Sequence, residues 1–415
     1  MAVEAVSVPA EFTGRALKRQ LERAERRARW RALGLVAPLV AFLVVLFVLP
    51  IGYMLFYSIS NPNVRDGLPH FYASLQQDAG PVPGEAVFRA LAADMAAADE
   101  ERLLGRALKP FRQQDRTVWR LINRTAKKLP KEDVRSMKDW FLGFKKGWGE
   151  PETWAVIRRV SRPYTQYYFV NSLDLTQKAD GSVELKSERK RVYMYVLGNT
   201  FWISFWVTVF TLVLGYPVAY LLANMTEKHA NMAMILVLFP FWTSLLVRTY
   251  AWIMILQTEG PVNDALTGLG LVPEPVKLVH NRIGVYFAMT HILLPFMLLP
   301  IYSVMKGIPP TYMKAAANLG ADPIRAFLRV YLPQTLPGVG AGSLLVFILS
   351  LGYYITPALV GGTQDTMISM MIATNVNWVL NWGMAAALGT ILLAATLVVF
   401  AVYNRFLGLE KVRLS

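Results

Sequence analysis

The sequence predicts an all-α polytopic membrane protein, with six transmembrane helices and a small α+β domain inserted between the first and the second. Of its 415 residues 54% are hydrophobic and only 17% are charged, against about 25% charged in ordinary soluble domains. The charges are also segregated, falling at residues 1–31, across 61–191, and in short patches between long apolar runs. Outside 58–194 those runs match the roughly 20 residues a helix needs to cross a bilayer. Mean hydropathy is +0.35.

Several function classes drop out. A formal charge of +15 raises nucleic acid as a partner, but the basic excess sits beside or between spans, where it sets topology. There is no cysteine, hence no disulfide or thiolate chemistry, and the four histidines are far apart with no HExxH pair. Neither GxxxxGK followed by Ser or Thr nor GxSxG occurs, so the chain carries no nucleotide- or ester-hydrolysing motif of its own.

Residues 1–31 read as a basic helix. Glu22 with Arg26 and Glu25 with Arg29 are i,i+4 pairs, and the positive excess next to a span places this end in the cytoplasm. It acts as a topogenic anchor, with a lipid or partner contact as the alternative. Span 1 covers 32–57 and tolerates Pro38 and Pro50. It is longer than the ~7–15 residues of a signal-peptide core and lacks a small-x-small cleavage site.

The insert, 58–194, begins helically. Phe88, Leu91, Met95, Leu104, Leu108 and Phe111 recur at helical spacing between Glu85 and Leu129, and Val134, Met137, Trp140, Phe141 and Phe144 form a second amphipathic segment. From Tyr164 the character changes, and Ala179-Asp180-Gly181-Ser182 before Val183 predicts a β-hairpin. The insert lies on the outer side, and its Lys and Arg do not oppose this because long loops translocate largely regardless of charge.

The core occupies 195–407. Span 2 is 197–224 and span 3 is 232–257, joined by a tight turn at Thr226-Glu227-Lys228-His229. An outer loop, 258–281, leads to span 4, 283–305, broken by Pro295 and Pro300. A polar loop, 306–337, precedes span 5 at 338–358. An outer loop rich in glycine, asparagine and tryptophan precedes span 6 at 383–407, and the tail is 408–415. Six crossings return the chain to the cytoplasm and make 306–337 cytoplasmic, which its Lys306, Lys314, Arg325 and Arg329 support.

In that loop Thr311 is an expected N-cap and Gly320 a C′ residue, so Tyr312–Leu319 forms a helix of about two turns. Asp322-Pro323 opens a second helix that ends near Leu332-Pro333. So short a helix needs outside support, and Ala315, Ala316 and Ala317 permit close approach of another surface. A docking element for a cytoplasmic partner and an interfacial connector both fit these properties.

The segment resembles the signature loop of the membrane subunits of bacterial ATP-binding-cassette importers, written EAA, three residues, G, nine residues, I-x-L-P. Here it reads Lys314-Ala315-Ala316, then Gly320, then Val330-Tyr331-Leu332-Pro333 at the same spacing. The resemblance implies a permease whose Lys314, Ala315, Ala316, Ala317, Gly320, Ala321, Leu332 and Pro333 couple to an ATPase subunit dimer. ATP and Mg²⁺ then belong to that partner, and this chain binds no cofactor. It further implies a second related permease subunit, a periplasmic substrate-binding protein, and a bacterial inner-membrane location with both termini cytoplasmic and the insert periplasmic. Lys314 departs from the family's Glu. At N3 from Thr311 a cation opposes the helix dipole by ~0.3–1 kcal/mol, so an acidic residue of the ATPase or a lipid phosphate is its expected partner.

Thr243-Ser244-x-x-Val247-Arg248-Thr249-Tyr250-Ala251-Trp252, Gly260-x-x-Asn263, Leu294-Pro295-Phe296 and Gly352-x-x-x-Thr356-Pro357-x-Leu359-x-Gly361-Gly362 are similar to the spermidine/putrescine branch. This implies a small polar, polyamine-like solute moved inward by alternating access. The 58–194 insert is longer than that branch leads one to expect.

Along the path Arg248 is the notable intramembrane charge. It either lines the route or its outer gate, or caps a neighbouring helix. Tyr250 is a further path candidate, while Tyr353 and Tyr354, with Trp378 and Trp382, offer π faces to an ammonium group or, for the tryptophans, form an interfacial belt. His291 reads as a packed residue. The rivals are an ion-coupled secondary transporter, which needs intramembrane ionisable groups, and a membrane-bound enzyme, for which no catalytic constellation exists.

Overall fold

The computed structural model describes residues 14–407 except 131, 133, 179 and 180. The start of the basic segment, half of the predicted hairpin turn and the 408–415 tail lie outside the described residues. By internal contacts the chain divides into residues 1–56 and 57–415.

In the first unit the basic segment and span 1 are one rod, Gly14–Leu43 followed by a wide turn, Val44–Val48, and Leu49–Tyr57. Glu25 and Arg29 pair at 3.6 Å, as their spacing predicts. The Leu49 N–H reaches back five residues to the Val44 carbonyl. This widening falls just before Pro50, which brings no N–H and a ring that would press on the preceding turn.

The insert is mostly helical. Asn63–Gly67, Pro69–Gln77, Glu85–Glu100, Arg116–Ala126, Met137–Phe144 and Pro151–Val160 surround an aromatic centre where Phe88 lies 5.2 Å from Phe141 and 5.1 Å from Trp154, ring to ring. Each buried indole finds an acceptor, Trp148 on Thr125 Oγ1 at 3.0 Å and Trp154 on the Trp148 carbonyl at 2.8 Å. The Glu85 carboxylate accepts from the N–H groups of Met137 and Lys138, both at 2.8 Å, and so caps a helix remote in sequence. The predicted hairpin is present, Leu175–Gln177 antiparallel to Val183–Leu185, with Gly181 at φ 89°. Tyr167–Ser172, however, is helical. Its two tyrosine rings are anchored through Gln113 rather than laid along a strand: Tyr167 Oη donates to the Gln113 carbonyl at 2.6 Å, and Tyr168 Oη to Gln113 Oε1 at 3.2 Å.

The membrane core centres on Tyr193–Asn224, Arg282–Lys306 and Pro323–Gly352, spans 2, 4 and 5. Ile203 and Val207 meet Met289, Leu293 and Met297, all with no exposure, together with Val346. Span 5 approaches span 4 through Gly338 and Gly342. A Cβ at these positions would stand 2.9 Å from the Pro300 carbonyl and 2.8 Å from the Met297 carbonyl, the close backbone approach that small residues four apart permit. Span 6 is Trp382–Arg405.

Four expectations are corrected. Span 3 is no straight helix: Glu227–Trp242 and Leu245–Gly268 meet at 97°, so among the described residues five helices are long and apolar enough to cross a membrane, or six when the bent pair counts as one span. The break follows Pro240, and Thr243 and Ser244 are extended there (ψ 147° and 141°). Span 4 is one continuous helix through Pro295 and Pro300, because neighbouring side chains bury and support it. The second loop helix does not stop at Leu332-Pro333. It runs through a wide turn, Phe327–Tyr331, into Leu332–Gly352, with the Leu332 N–H on the Phe327 carbonyl, the same device seen before Pro50. Finally, the loop before span 6 contains the helix Ile368–Asn377.

Candidate functional site

The polar loop starts where Lys306 closes span 4 and Gly307 caps it. The helix that follows is Thr311–Asn318, with Pro310 (φ −61°, ψ −17°) in the cap position and no side-chain cap bond. Proline's fixed φ already suits a first turn, so the helix begins one residue earlier than Thr311 capping would place it. Lys314 therefore sits past N3, its N–H on the Pro310 carbonyl at 3.3 Å, and its exposed side chain does not disrupt a capping box.

The exit follows the prediction. Gly320 has φ 86°, its N–H bonds to the Ala317 carbonyl at 2.9 Å and the Ala321 N–H to the Ala316 carbonyl at 3.0 Å, a Schellman arrangement that only glycine enters without strain. Asp322 then caps the next helix, accepting from the Arg325 N–H at 2.9 Å, with Pro323 first inside it.

The short helix is held from within. Ala316 is buried and Met313 half-buried, and Met313, Ile308 and Phe327 pack against the core that includes Met305 and Tyr331. Phe327 and Tyr331 stack at 5.7 Å, and Tyr220 of span 2 meets their edges at 5.6 and 5.4 Å. Tyr216, one turn earlier, shares a hydrogen bond with Thr335 at 3.1 Å. The sequence reasoning missed this aromatic set, although Tyr216/Tyr220 and Phe327/Tyr331 each show an i,i+4 aromatic spacing. On the outer face Ala315 and Ala317 are exposed beside two apolar residues also missed, Leu319 at 89% and Ile324 at 71% exposure. Leu332 and Pro333 lie in the continuing helix rather than at its end.

The path candidates divide. Arg248 lies within electrostatic reach of His291 and Tyr353. Its Nε is buried and has no hydrogen-bond partner among the described residues. His291 accepts from Trp252 Nε1 at 3.2 Å, which makes it a packed, bonded residue. The next residue, Thr249, meets Thr356 hydroxyl to hydroxyl at 3.2 Å, joining two of the motif stretches singled out in the sequence. Tyr353 packs into the core, whereas Tyr250 and Tyr354 are 55% and 43% exposed. Asn263 also serves structure: its side chain brackets the outer loop, donating to the Gln257 and Val276 carbonyls and accepting from the Val276 N–H.

Residues 198–407 match the family described as binding-protein-dependent transport system inner membrane component. The spermidine/putrescine transport system permease protein PotB of Haemophilus influenzae is 33% identical over 227 residues, 54% of this chain and 79% of the relative. PotB of Escherichia coli K12 is also 33% identical, over 54% of this chain and 82% of its own length. The inner membrane ABC transporter permease protein YdcU of Escherichia coli K12 is 34% identical over 44% of this chain and 61% of its own. Among solved structures, a bacterial alginate ABC transporter in complex with alginate pentasaccharide-bound periplasmic protein aligns at a TM-score of 0.44 and 18% identity, over 53% of this chain and 78% of that one.

Proposed function

This chain belongs to the binding-protein-dependent inner-membrane permeases of bacterial ATP-binding-cassette importers, on their spermidine/putrescine branch, and from that premise we propose that Thr311–Asn318 is the lever through which a separate ATPase dimer drives alternating access. The observation that carries this reading is the two-sidedness of the short helix. Its inner face is tied through Met313 and Phe327 to the Tyr220 end of span 2, while Leu319 and Ile324 stand exposed at its outer end. A push on that end is passed to spans 2 and 5 through these packed side chains. ATP and Mg²⁺ are held by the partner, and a second related permease subunit and a periplasmic binding protein complete the assembly. The insert 58–194 stands on the periplasmic side, and both termini are cytoplasmic.

The solute is a polyamine-like cation, by kinship with the spermidine/putrescine permeases. Arg248 cannot bind such a cation directly. Its unpartnered Nε instead suits an electrostatic gate that holds cations back until the path rearranges, leaving selectivity to the binding protein. An ion-coupled carrier is disfavoured because Asp365, the buried acid of the membrane core among the described residues, is already committed to Arg282 at 2.9 Å.

The test uses the complex purified from membranes and reconstituted with binding protein and spermidine. Gly320→Val forces a branched side chain into φ 86° and is expected to abolish spermidine-stimulated ATP hydrolysis while the subunits still copurify. Gly320→Asn, which tolerates this conformation, should keep most of it. Normal stimulation in Gly320→Val refutes the lever, and the absence of any copurifying ATPase refutes the importer reading altogether.

A further inference from the structure

A second polar site lies away from the loop and from Arg248. Between the insert and the membrane core is a cavity of about 550 Å³. Arg112, Arg116 and Arg120 line it from the insert, and Tyr193, Asn375 and Asn381 from the core. None of its lining residues is acidic. The nearest carboxylate in sequence, Asp115, is turned to its own helix, accepting from the Thr117 and Val118 N–H groups at 2.8 and 3.0 Å. The three arginines are exposed and have no ion-pair partner among the described residues. The walls are fixed: Tyr167, which also lines the cavity, is bonded to the Gln113 carbonyl, and Lys109 donates to the Leu380 carbonyl at 2.5 Å. Lys109 adds to the positive field, and its ammonium is pushed down by burial and by Arg112 and Arg106.

The level of the cavity identifies the ligand. Tyr193 is the first residue of span 2 and Asn381 directly precedes span 6, so the floor lies where two spans leave the hydrocarbon. Within two residues of the lining Tyr193, Val379 and Asn381, Tyr195, Trp378 and Trp382 are 58%, 84% and 44% exposed, amphipathic rings of the kind that sit at headgroup depth. Guanidinium forks match phosphate oxygens in bidentate geometry. A soluble anion would need the charge but not the exposed apolar collar, whereas a lipid uses both.

We propose that this cavity binds the phosphate headgroup of an anionic phospholipid, with Arg112, Arg116 and Arg120 as its ligands and the acyl chains lying along the exposed faces below Trp378 and Trp382. The proposal rests on the chain being embedded in a membrane and is independent of the solute it carries.

The test compares the purified wild-type complex with the R112Q/R116Q/R120Q variant in nanodiscs of phosphatidylcholine containing a titrated fraction of phosphatidylglycerol, reading retained lipid by native mass spectrometry. Wild type should retain phosphatidylglycerol in preference to phosphatidylcholine. The triple variant should lose that preference by roughly a hundredfold, from about fivefold per interfacial arginine, and arginine-to-lysine replacement should recover part of it. Copurification of the partner subunits confirms that the variant is folded. Equal retention by wild type and variant overturns the proposal. So does displacement of the lipid by millimolar inorganic phosphate, which would mark a free-anion site, and so does unchanged lipid retention with lost binding of the periplasmic protein, which would mark a protein interface.

Discussion

Arg282 Nε lies 2.9 Å from Asp365 Oδ1, and the same guanidinium reaches Asn199 Oδ1 at 2.6 Å. The first turn of span 4 is thereby tied to the Gly361-Gly362 corner and to span 2. The corner needs this tie because it has no room to relax: a Cβ on Gly361 would meet the Pro357 carbonyl at 2.6 Å, and one on Gly362 the His280 carbonyl at 2.7 Å. Asp365 also accepts the Gly362 N–H at 3.0 Å. Asp365→Ala leaves Nε of the part-buried Arg282 guanidinium and the Gly362 amide unmet, and should cost about 1.5–3 kcal/mol, read as a lower melting temperature of the purified complex. Arg282→Lys keeps the charge but loses the fork and should fall between. Unchanged melting in Asp365→Ala rejects the tie.

The contact of span 5 on span 4 predicts a contrast between glycines. Gly342→Ala places a methyl group 2.8 Å from the Met297 carbonyl, a backbone atom that cannot step aside, and should destabilise by about 1–3 kcal/mol. Gly389→Ala meets nothing within 4 Å and should be neutral or slightly stabilising. Melting curves of the two variants, side by side, decide it; equal effects would mean the helices are not in backbone contact.

The insert carries a pH dependence of definite sign. Burial would raise the Glu85 carboxyl, but the Lys138 and Met137 N–H groups, Arg89 and Ser136 outweigh it and hold Glu85 at about 2 against an ordinary 4.5. A depressed carboxyl stabilises the fold fully above the ordinary value, and that contribution is lost as pH falls through the folded one. Stability of the insert should therefore decline between about pH 4.5 and pH 2. Glu85→Gln should flatten this decline and lower the neutral-pH plateau by ~0.5–2 kcal/mol, the scale of a lost helix cap. The buried Trp148 and Trp154 give the fluorescence signal. An acid limb identical to wild type would show that Glu85 does not carry it.

Features written in local backbone rules were legible in the sequence. The Asp322-Pro323 start, the Gly320 exit and the hairpin around Gly181 each depend on a few neighbouring residues. The spans were legible by length. What failed depended on distant partners. Pro295 and Pro300 read as breaks because a proline's cost is local, whereas the neighbours that absorb it are not. Span 3 read as continuous over 232–257, yet Pro240 within it stands beside a 97° bend. The pairing of Gly338 with Gly342 was present as a four-residue spacing and went unused.

The wide turns before Leu49-Pro50 and Leu332-Pro333 change how the flanking helices are indexed. Each inserts one residue into the α-helical count, which rotates everything downstream by about 100°. A helical wheel drawn at constant pitch from Pro323 therefore assigns Gly338 and Gly342 to the wrong azimuth. Scans that choose lipid-facing positions on such a wheel would strike the helix contact instead, whereas deleting one residue within Phe327–Tyr331 would let the wide turn close to a regular α-helix and keep Leu332–Gly352 in register with span 4.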